Sequence, residues 1–145
     1  MPSVQDVIFS KGNLVHSIDP EATVLDAVQK MNQHKIGALI VMIGRKVAGI
    51  FTERDLLRRV LAEERNIRDV RVSDVMTRDV ICVGPEVDLD EVSSIMQLRR
   101  VRHVPVCDED GELRGMISIG DLNAYHATNQ EAQIHFLSEY IYGRV

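Results

Sequence analysis

The 145-residue chain is poor in the residues that mark several common classes of protein. Its two cysteines, Cys82 and Cys107, are too few for a disulfide framework and show no zinc-binding spacing, so we predict that both are small buried hydrophobic residues. It has no tryptophan and only three tyrosines and three phenylalanines, which leaves little for stacking nucleic-acid bases. A net charge of −5 gives no general attraction for nucleic-acid phosphates. We therefore expect no nucleic-acid partner.

Long apolar runs are also missing. None approaches the roughly 20 residues that span a bilayer, and the first six residues lack the basic and then apolar start of a signal peptide. We therefore expect a cytoplasmic protein with no membrane partner. The five histidines show no spacing typical of metal ligands, and no serine or cysteine stands beside a base in the sequence. Neither a metal site nor catalytic residues are predicted, and the protein is not expected to be an enzyme.

The positive signal is an internal repeat. Val4–Val7 is matched by Val72–Val75, and a register 65 residues apart pairs Met31 with Met96. Two copies are too few for a solenoid, so we predict two half-domains packed face to face, each too small to bury a core alone. We place the first copy with a linker at residues 1–71, the second at 72–127 and a helical tail at 128–145.

Each copy has the pattern of a β-α-β-β-α unit, which predicts an α/β (α+β) fold with pseudo-twofold symmetry. Both first helices begin with a predicted capping box, Thr23 with Asp26 and Asp88 with Glu91. The strands predicted for the first copy are Leu14–Ile18, Ala38–Ile43 and Val47–Phe51, and those of the second are Val80–Val83, Val104–Cys107 and Leu113–Ile119.

The most specific motif lies where the last strand of each copy enters the final helix. The segments Gly49–Asp55 and Gly115–Asp121 both read glycine, two apolar residues, a hydroxyl residue, two variable residues and aspartate. Threonine or serine followed three residues later by aspartate is a helix cap. The same helix start can also bind an anion, and its aspartate can accept two hydrogen bonds from a ribose diol. The two roles are compatible, and the sequence leaves both open.

Tandem β-α-β-β-α copies that both end in this motif resemble a cystathionine-β-synthase (CBS) domain pair over residues 4–127. The resemblance implies a stand-alone regulatory protein that binds AMP, ADP, ATP, NAD or S-adenosylmethionine in clefts between the copies, forms a homodimer and signals to an unknown regulated protein. It also implies that the motif aspartate holds the ribose, that the threonine or serine faces the phosphate, and that the start of the middle strand flanks the adenine. The ligand-binding residues predicted in this way are Ser17, Ile18, Gly37, Ala38, Leu39, Thr52, Arg54, Asp55, Val80, Arg102, His103, Val104, Ser118 and Asp121.

The two copies differ most beside the predicted adenine site. Gly37 and Ala38 in the first copy correspond to Arg102 and His103 in the second, within the basic run 99–103. That run is either a solvated charged face or a phosphate clamp, and its position favours the clamp, because arginine offers a planar fork of donors. We therefore expect clefts of unequal affinity.

Two questions stay open at the level of sequence. Ile134, Leu137 and Ile141 fall at helical spacing in the tail, which packs either on its own chain or on a partner chain. The alternative function is a ligand-independent dimerisation and interaction module with degenerate clefts.

Overall fold

The computed structural model describes residues 2–12 and 14–129, the last three of them by their backbone only. Residues 130–145, which include the three apolar tail positions named above, lie outside the described residues. The first half contains α1 (Val4–Lys11), β1 (Ser17–Ile18), α2 (Val24–His34), β2 (Ala38–Ile43), β3 (Lys46–Thr52) and α3 (Glu53–Asp55), which continues as a π-helical stretch over Leu56–Leu61. The second half contains α4 (Val72–Val75), α5 (Leu89–Arg99), β4 (His103–Cys107), β5 (Leu113–Ser118) and α6 (Ile119–Asn129).

The strand pairing repeats residue by residue between the halves. β1 runs parallel to β2, which pairs antiparallel with β3, with an irregularity between Val41 and Met42. β4 pairs antiparallel with β5, with the same irregularity between Val106 and Cys107, each 65 residues later. The predicted two-copy α/β fold with pseudo-twofold symmetry is confirmed.

The first strand of each copy is shorter than predicted. Of the predicted strand Leu14–Ile18, Ser17 and Ile18 alone pair with β2, and Leu14 is largely exposed. In the predicted strand Val80–Val83, pairing is reduced to one parallel bridge between Val83 and Val106. Apolar residues in these segments therefore lie beside the sheet without forming a ladder.

Only one of the two predicted capping boxes forms. Thr23 and Asp26 each accept a hydrogen bond from the other's backbone N–H at 3.1 Å. At Asp88, the carboxylate accepts from the backbone N–H of Asp90 at 3.1 Å, and Glu91 completes no reciprocal bond. The second helix therefore begins with a simpler cap.

The short helices α1 and α4 are exchanged between the two cores. The first core contains Val24, Leu39 and Phe51 and is closed by Val72 and Val75 of α4. The second core contains Leu89, Val92, Val104 and Ile117, and it is closed by Val4 of α1. The division at residue 71 stays a prediction about the sequence repeat, since each core takes its closing helix from the other copy.

The motif glycines permit this exchange. A Cβ atom at Gly49 would lie 2.7 Å from the carbonyl oxygen of Thr77 and 2.8 Å from Sδ of Met76. A Cβ atom at Gly115 would lie 2.5 Å from Cδ1 of Ile8. Both distances are shorter than van der Waals contact, so each exchanged segment packs where a side chain would otherwise stand.

A third apolar cluster joins the halves. Ala38, Ile40 and Ile50 of the first sheet form its buried part, and Leu113 and Met116 of β5 pack against them. The predicted cleft residue Val80 also packs on this cluster. The starts of α3 and α6 flank the junction, so the fold brings both motifs to it.

Candidate ligand-binding clefts

Asp55 of the first motif is enclosed by the protein. Its side chain is buried, with 4% of the residue exposed. One carboxylate oxygen accepts hydrogen bonds from the backbone N–H and the hydroxyl of Thr52, at 3.0 and 3.2 Å. The other accepts from the Thr77 hydroxyl at 3.0 Å and lies 3.7 Å from Nε of Arg59. Asp55 thus caps α3 and ties it to the segment after α4.

Asp121 of the second motif is more exposed than Asp55 and forms an ion pair with a lysine. Its Oδ2 atom accepts hydrogen bonds from the N–H and hydroxyl of Ser118, at 2.8 and 3.0 Å. The same atom lies 2.6 Å from Nζ of Lys11, which also donates to the carbonyl oxygen of Met116 at 2.8 Å. Burial would raise the pKa of Asp121, but the Lys11 ammonium and the Ser118 hydrogen bonds outweigh it and hold that pKa below its usual value. The carboxylate is therefore charged at neutral pH, and its neighbour is a lysine at the end of α1.

His103 lies half-buried between the two motifs. Burial lowers its pKa; Asp121 and Glu53 oppose that shift, and Lys11 and Arg102 add to it. His103 is consequently neutral at pH 7 and can donate or accept a hydrogen bond. Its interactions with Glu53 of one half and Asp121 of the other show that the two motif helices begin close to the same point.

A positively lined cavity of about 370 Å³ opens beside this point. Arg54 enters it from the first half, and its Nη1 donates to the carbonyl oxygen of Arg100 at 2.8 Å. Arg100, Arg102 and His126 line it from the second half, and among the described side chains that line it there is no carboxylate. In a chain of net charge −5, this concentration of cationic groups is suited to an anion.

The remaining predicted residues lie in three different places. Leu39 and Val104 are buried in the two separate cores, so their side chains face away from the clefts. Gly37 lies at the junction, where its carbonyl oxygen accepts from the backbone N–H of Glu53 at 3.0 Å. Ser17 and Ile18 line a separate cavity with Lys30 at the edge of the first sheet, away from either motif.

Two residues near the second motif were missed by the sequence reasoning. Lys11 and Glu53 reach the junction through tertiary contacts, and Lys11 stands 110 positions from the aspartate it pairs with. Glu53 adjoins predicted residues, which was a usable signal, and Arg100 belongs to the basic run 99–103 that was interpreted as a possible phosphate clamp. Lys11 gave none, because its position depends on α1 packing on the other copy.

No helix among the described residues has both the length and the apolar character to cross a membrane. Cytoplasmic localisation remains a prediction.

Comparison with known proteins places the motifs in context. The family model of the CBS domain matches residues 6–62 and 72–127. The chain is 35% identical over 150 residues to the CBS domain-containing protein CBSX3, mitochondrial, of Arabidopsis thaliana, covering 97% of this chain and 72% of that protein. A solved protein with CBS domains from Burkholderia ambifaria MC40-6 is 38% identical, with a TM-score of 0.85 over 89% of this chain and 96% of that one.

A more distant solved structure shares the fold. The CBS domain pair of protein MJ0100, solved with 5-methylthioadenosine and S-adenosyl-L-methionine, has a TM-score of 0.79 at 21% identity. The match covers 89% of this chain and 98% of that one.

Proposed function

The chain belongs to the CBS domain family, and on that premise we propose that it is a regulatory protein that binds an adenosine nucleotide of the AMP, ADP, ATP or NAD type. Binding in the clefts between its repeats changes their relative arrangement and signals to a partner protein. The observation that carries the proposal is the cavity of about 370 Å³ with three arginines and a histidine beside the second motif. The adenosine-containing ligands of the MJ0100 pair are consistent with this ligand class.

The two clefts are proposed to bind unequally. Both carboxylate oxygens of Asp55 already interact with protein groups, so a ribose diol would have to displace Thr77 or Arg59. At Asp121 it has to displace one lysine side chain that is 34% exposed. The second cleft is therefore the stronger site, with the diol on Asp121.

The phosphate end is assigned to the arginine-lined cavity. Ile119, at the start of α6, lines the cavity, and Asp121 follows two residues later. We propose that a nucleotide with its ribose on Asp121 extends its phosphate around the start of α6 into this cavity, which Arg102 lines. Guanidinium groups bind phosphate oxygens through paired hydrogen bonds, which gives charge recognition that adenosine alone lacks.

The alternative is a ligand-independent interaction module. It is favoured by the enclosure of Asp55 and by the Lys11–Asp121 ion pair, since both motifs are satisfied within the chain. The exposed Leu57, Leu61 and Ile119 beside the motifs also offer an apolar surface. Under this alternative, the aspartates serve only as caps.

Thermal melting with AMP, ADP, ATP, NAD, NADH and S-adenosylmethionine separates the two functions. A ligand that binds only the folded chain stabilises it by about 2.7 kcal/mol at a hundredfold excess over Kd. We expect at least one nucleotide to raise the melting temperature of the wild type, and Asp121→Asn to lose that shift. If every ligand leaves the wild-type melting temperature unchanged, the interaction module is the correct function.

We also propose a homodimer, because a two-copy module presents closely similar faces that suit a twofold contact. Sedimentation of the full chain and of a chain truncated after Thr128 measures both the state and the contribution of the tail. An association constant for dimerisation that is lower for the truncated chain supports a tail in the interface. Equal constants show that the tail packs only on its own chain.

A further inference from the structure

The two cysteines are placed together, and the structure corrects one of their predicted environments. Cys107 is buried as predicted, but Cys82 is exposed. Both line one cavity, of about 470 Å³, beside the hairpin turn of the second copy. The Cys82 thiol is also near enough to contribute to the raised pKa of the Cys107 thiol. One thiol is thus open to reagents and lines the same cavity as a second that is buried.

The strand pairing explains this proximity. Val83 and Val106 form a parallel bridge, and the backbone N–H of Cys107 donates to the carbonyl oxygen of Val83 at 2.9 Å. Cys82 precedes Val83 and Cys107 follows Val106, so the two cysteines lie on adjacent chain segments, two positions apart in register, while Val83 and Val106 enter the core. The irregularity between Val106 and Cys107 lies at the same place.

The first copy provides an internal comparison. The positions 65 residues earlier are Ser17 and Met42, and these two also line one shared cavity. The fold therefore brings this pair of positions together in both copies, while only the second copy fills them with thiols. Neither thiol is needed for the architecture.

We propose that Cys82 and Cys107 are a reversible oxidation site that closes into an intramolecular disulfide when the protein meets a peroxide. The Cys82 thiolate attacks one oxygen of hydrogen peroxide and becomes a sulfenic acid, while the O–O bond breaks and the other oxygen leaves as hydroxide, which takes up a proton to form water. The Cys107 thiolate then attacks the Cys82 sulfur and displaces hydroxide, which takes up a proton and leaves as a second water. The two sulfurs lose two electrons in total, and the peroxide is reduced by the same two electrons.

The environment of Cys107 determines the rate of the second step. Burial, together with the neighbouring Cys82 thiol, raises the pKa of the Cys107 thiol to about 12. The attacking group is the thiolate, so few Cys107 side chains are reactive at neutral pH. Formation of the disulfide is therefore slow at pH 7, and its rate rises as the pH is increased.

The test treats the full-length protein with hydrogen peroxide and maps both cysteines by mass spectrometry under non-reducing conditions. We expect a cross-linked pair of peptides containing Cys82 and Cys107, with the loss of two hydrogen atoms in the intact monomer and reversal by dithiothreitol. The Cys107→Ser variant should accumulate a sulfenic acid at Cys82 that reacts with dimedone. The Cys82→Ser variant, which carries the residue of the first copy, should keep a free Cys107 thiol.

Two outcomes would overturn the proposal. In one, the oxidised wild type has its Cys107 thiol fully available to a maleimide after unfolding, while Cys82 is a sulfinic acid. In the other, Cys82 of one chain is joined to Cys82 of a second chain, as a dimer on a non-reducing gel. Either result shows that the two thiols do not react with each other in the folded protein.

Discussion

Replacing Lys11 with methionine removes the ammonium that lies 2.6 Å from Oδ2 of Asp121, and it keeps a side chain of similar length. If a nucleotide has to displace this ammonium, the ion pair competes with the ligand. The Lys11→Met variant should then bind nucleotide more tightly than the wild type, although its fold is less stable.

The size of the effect follows from the exposure of the pair. The two side chains are 34% and 20% exposed, between a surface ion pair and a buried one. Exposed pairs contribute up to about 1 kcal/mol, and hydrogen bonds to charged groups about 1.5–3 kcal/mol. We take about 1.4 kcal/mol, which corresponds to roughly a tenfold lower Kd for a ligand that no longer displaces the lysine. The free energy of unfolding of the empty protein should fall by a similar amount, about 1 kcal/mol.

Isothermal titration calorimetry with the nucleotide that gives the largest melting shift measures Kd, and urea denaturation measures stability. Lys11→Arg retains the charge and should retain most of the wild-type Kd. Lys46→Met is the matched control, because Lys46 donates to the carbonyl oxygen of Asp110 at the hairpin turns, away from Asp121. A Kd for Lys11→Met that is unchanged or higher would refute the reasoning. An unchanged Kd would mean that Lys11 has no part in binding, and a higher Kd would mean that Lys11 contacts the ligand.

Three further predictions concern stability. Asp55→Ala removes the acceptor of the Thr77 hydroxyl, and urea denaturation should show a loss of about 2 kcal/mol, since an unsatisfied polar group costs about 1–3 kcal/mol. Gly49→Ala should lower the melting temperature more than Gly115→Ala, because its Cβ meets a backbone carbonyl oxygen and not the end of a flexible side chain; equal shifts would contradict this. In the folded protein the pKa of His103 is below 6.5, the value of this side chain in the unfolded chain. His103 therefore binds a proton more readily in the unfolded chain, and the free energy of unfolding decreases as the pH falls below 6.5. His103→Gln should weaken that loss in urea titrations, and an unchanged pH dependence would assign it to other groups.

The sequence was sufficient for the hairpins and the motif helices because their signals are local. Two β-rich runs on either side of the turn at Gly44 predicted the β2–β3 hairpin, and Thr52 with Asp55 predicted the start of α3. The internal repeat carried the same inference to the second half. Local hydrogen bonds and periodicity therefore determined these elements almost completely.

Other features depend on contacts between distant parts of the chain. In the exchange of α1 and α4, each helix packs on the other copy beside its motif glycine, and the four residues of α4 give no local signal of this. The ion pair of Lys11 with Asp121 depends on that exchange. Cys82 was predicted to be buried by residue type, but its strand is reduced to one bridge and leaves the thiol exposed.

The central claim is that a nucleotide binds with its diol on Asp121 and its phosphate on the arginines that include Arg102. The direct test is calorimetric titration of wild type and Arg102→Ala with AMP, adenosine and 2′,3′-dideoxy-AMP. We predict that the wild type binds AMP most tightly and that loss of either the phosphate or the diol weakens binding. Arg102→Ala should weaken the binding of AMP by about tenfold or more, because a hydrogen bond to a charged group contributes about 1.5–3 kcal/mol. The same variant should leave the affinity for adenosine nearly unchanged. Equal affinity of the wild type for AMP and the dideoxy analogue, or equal losses for AMP and adenosine in Arg102→Ala, would contradict the account.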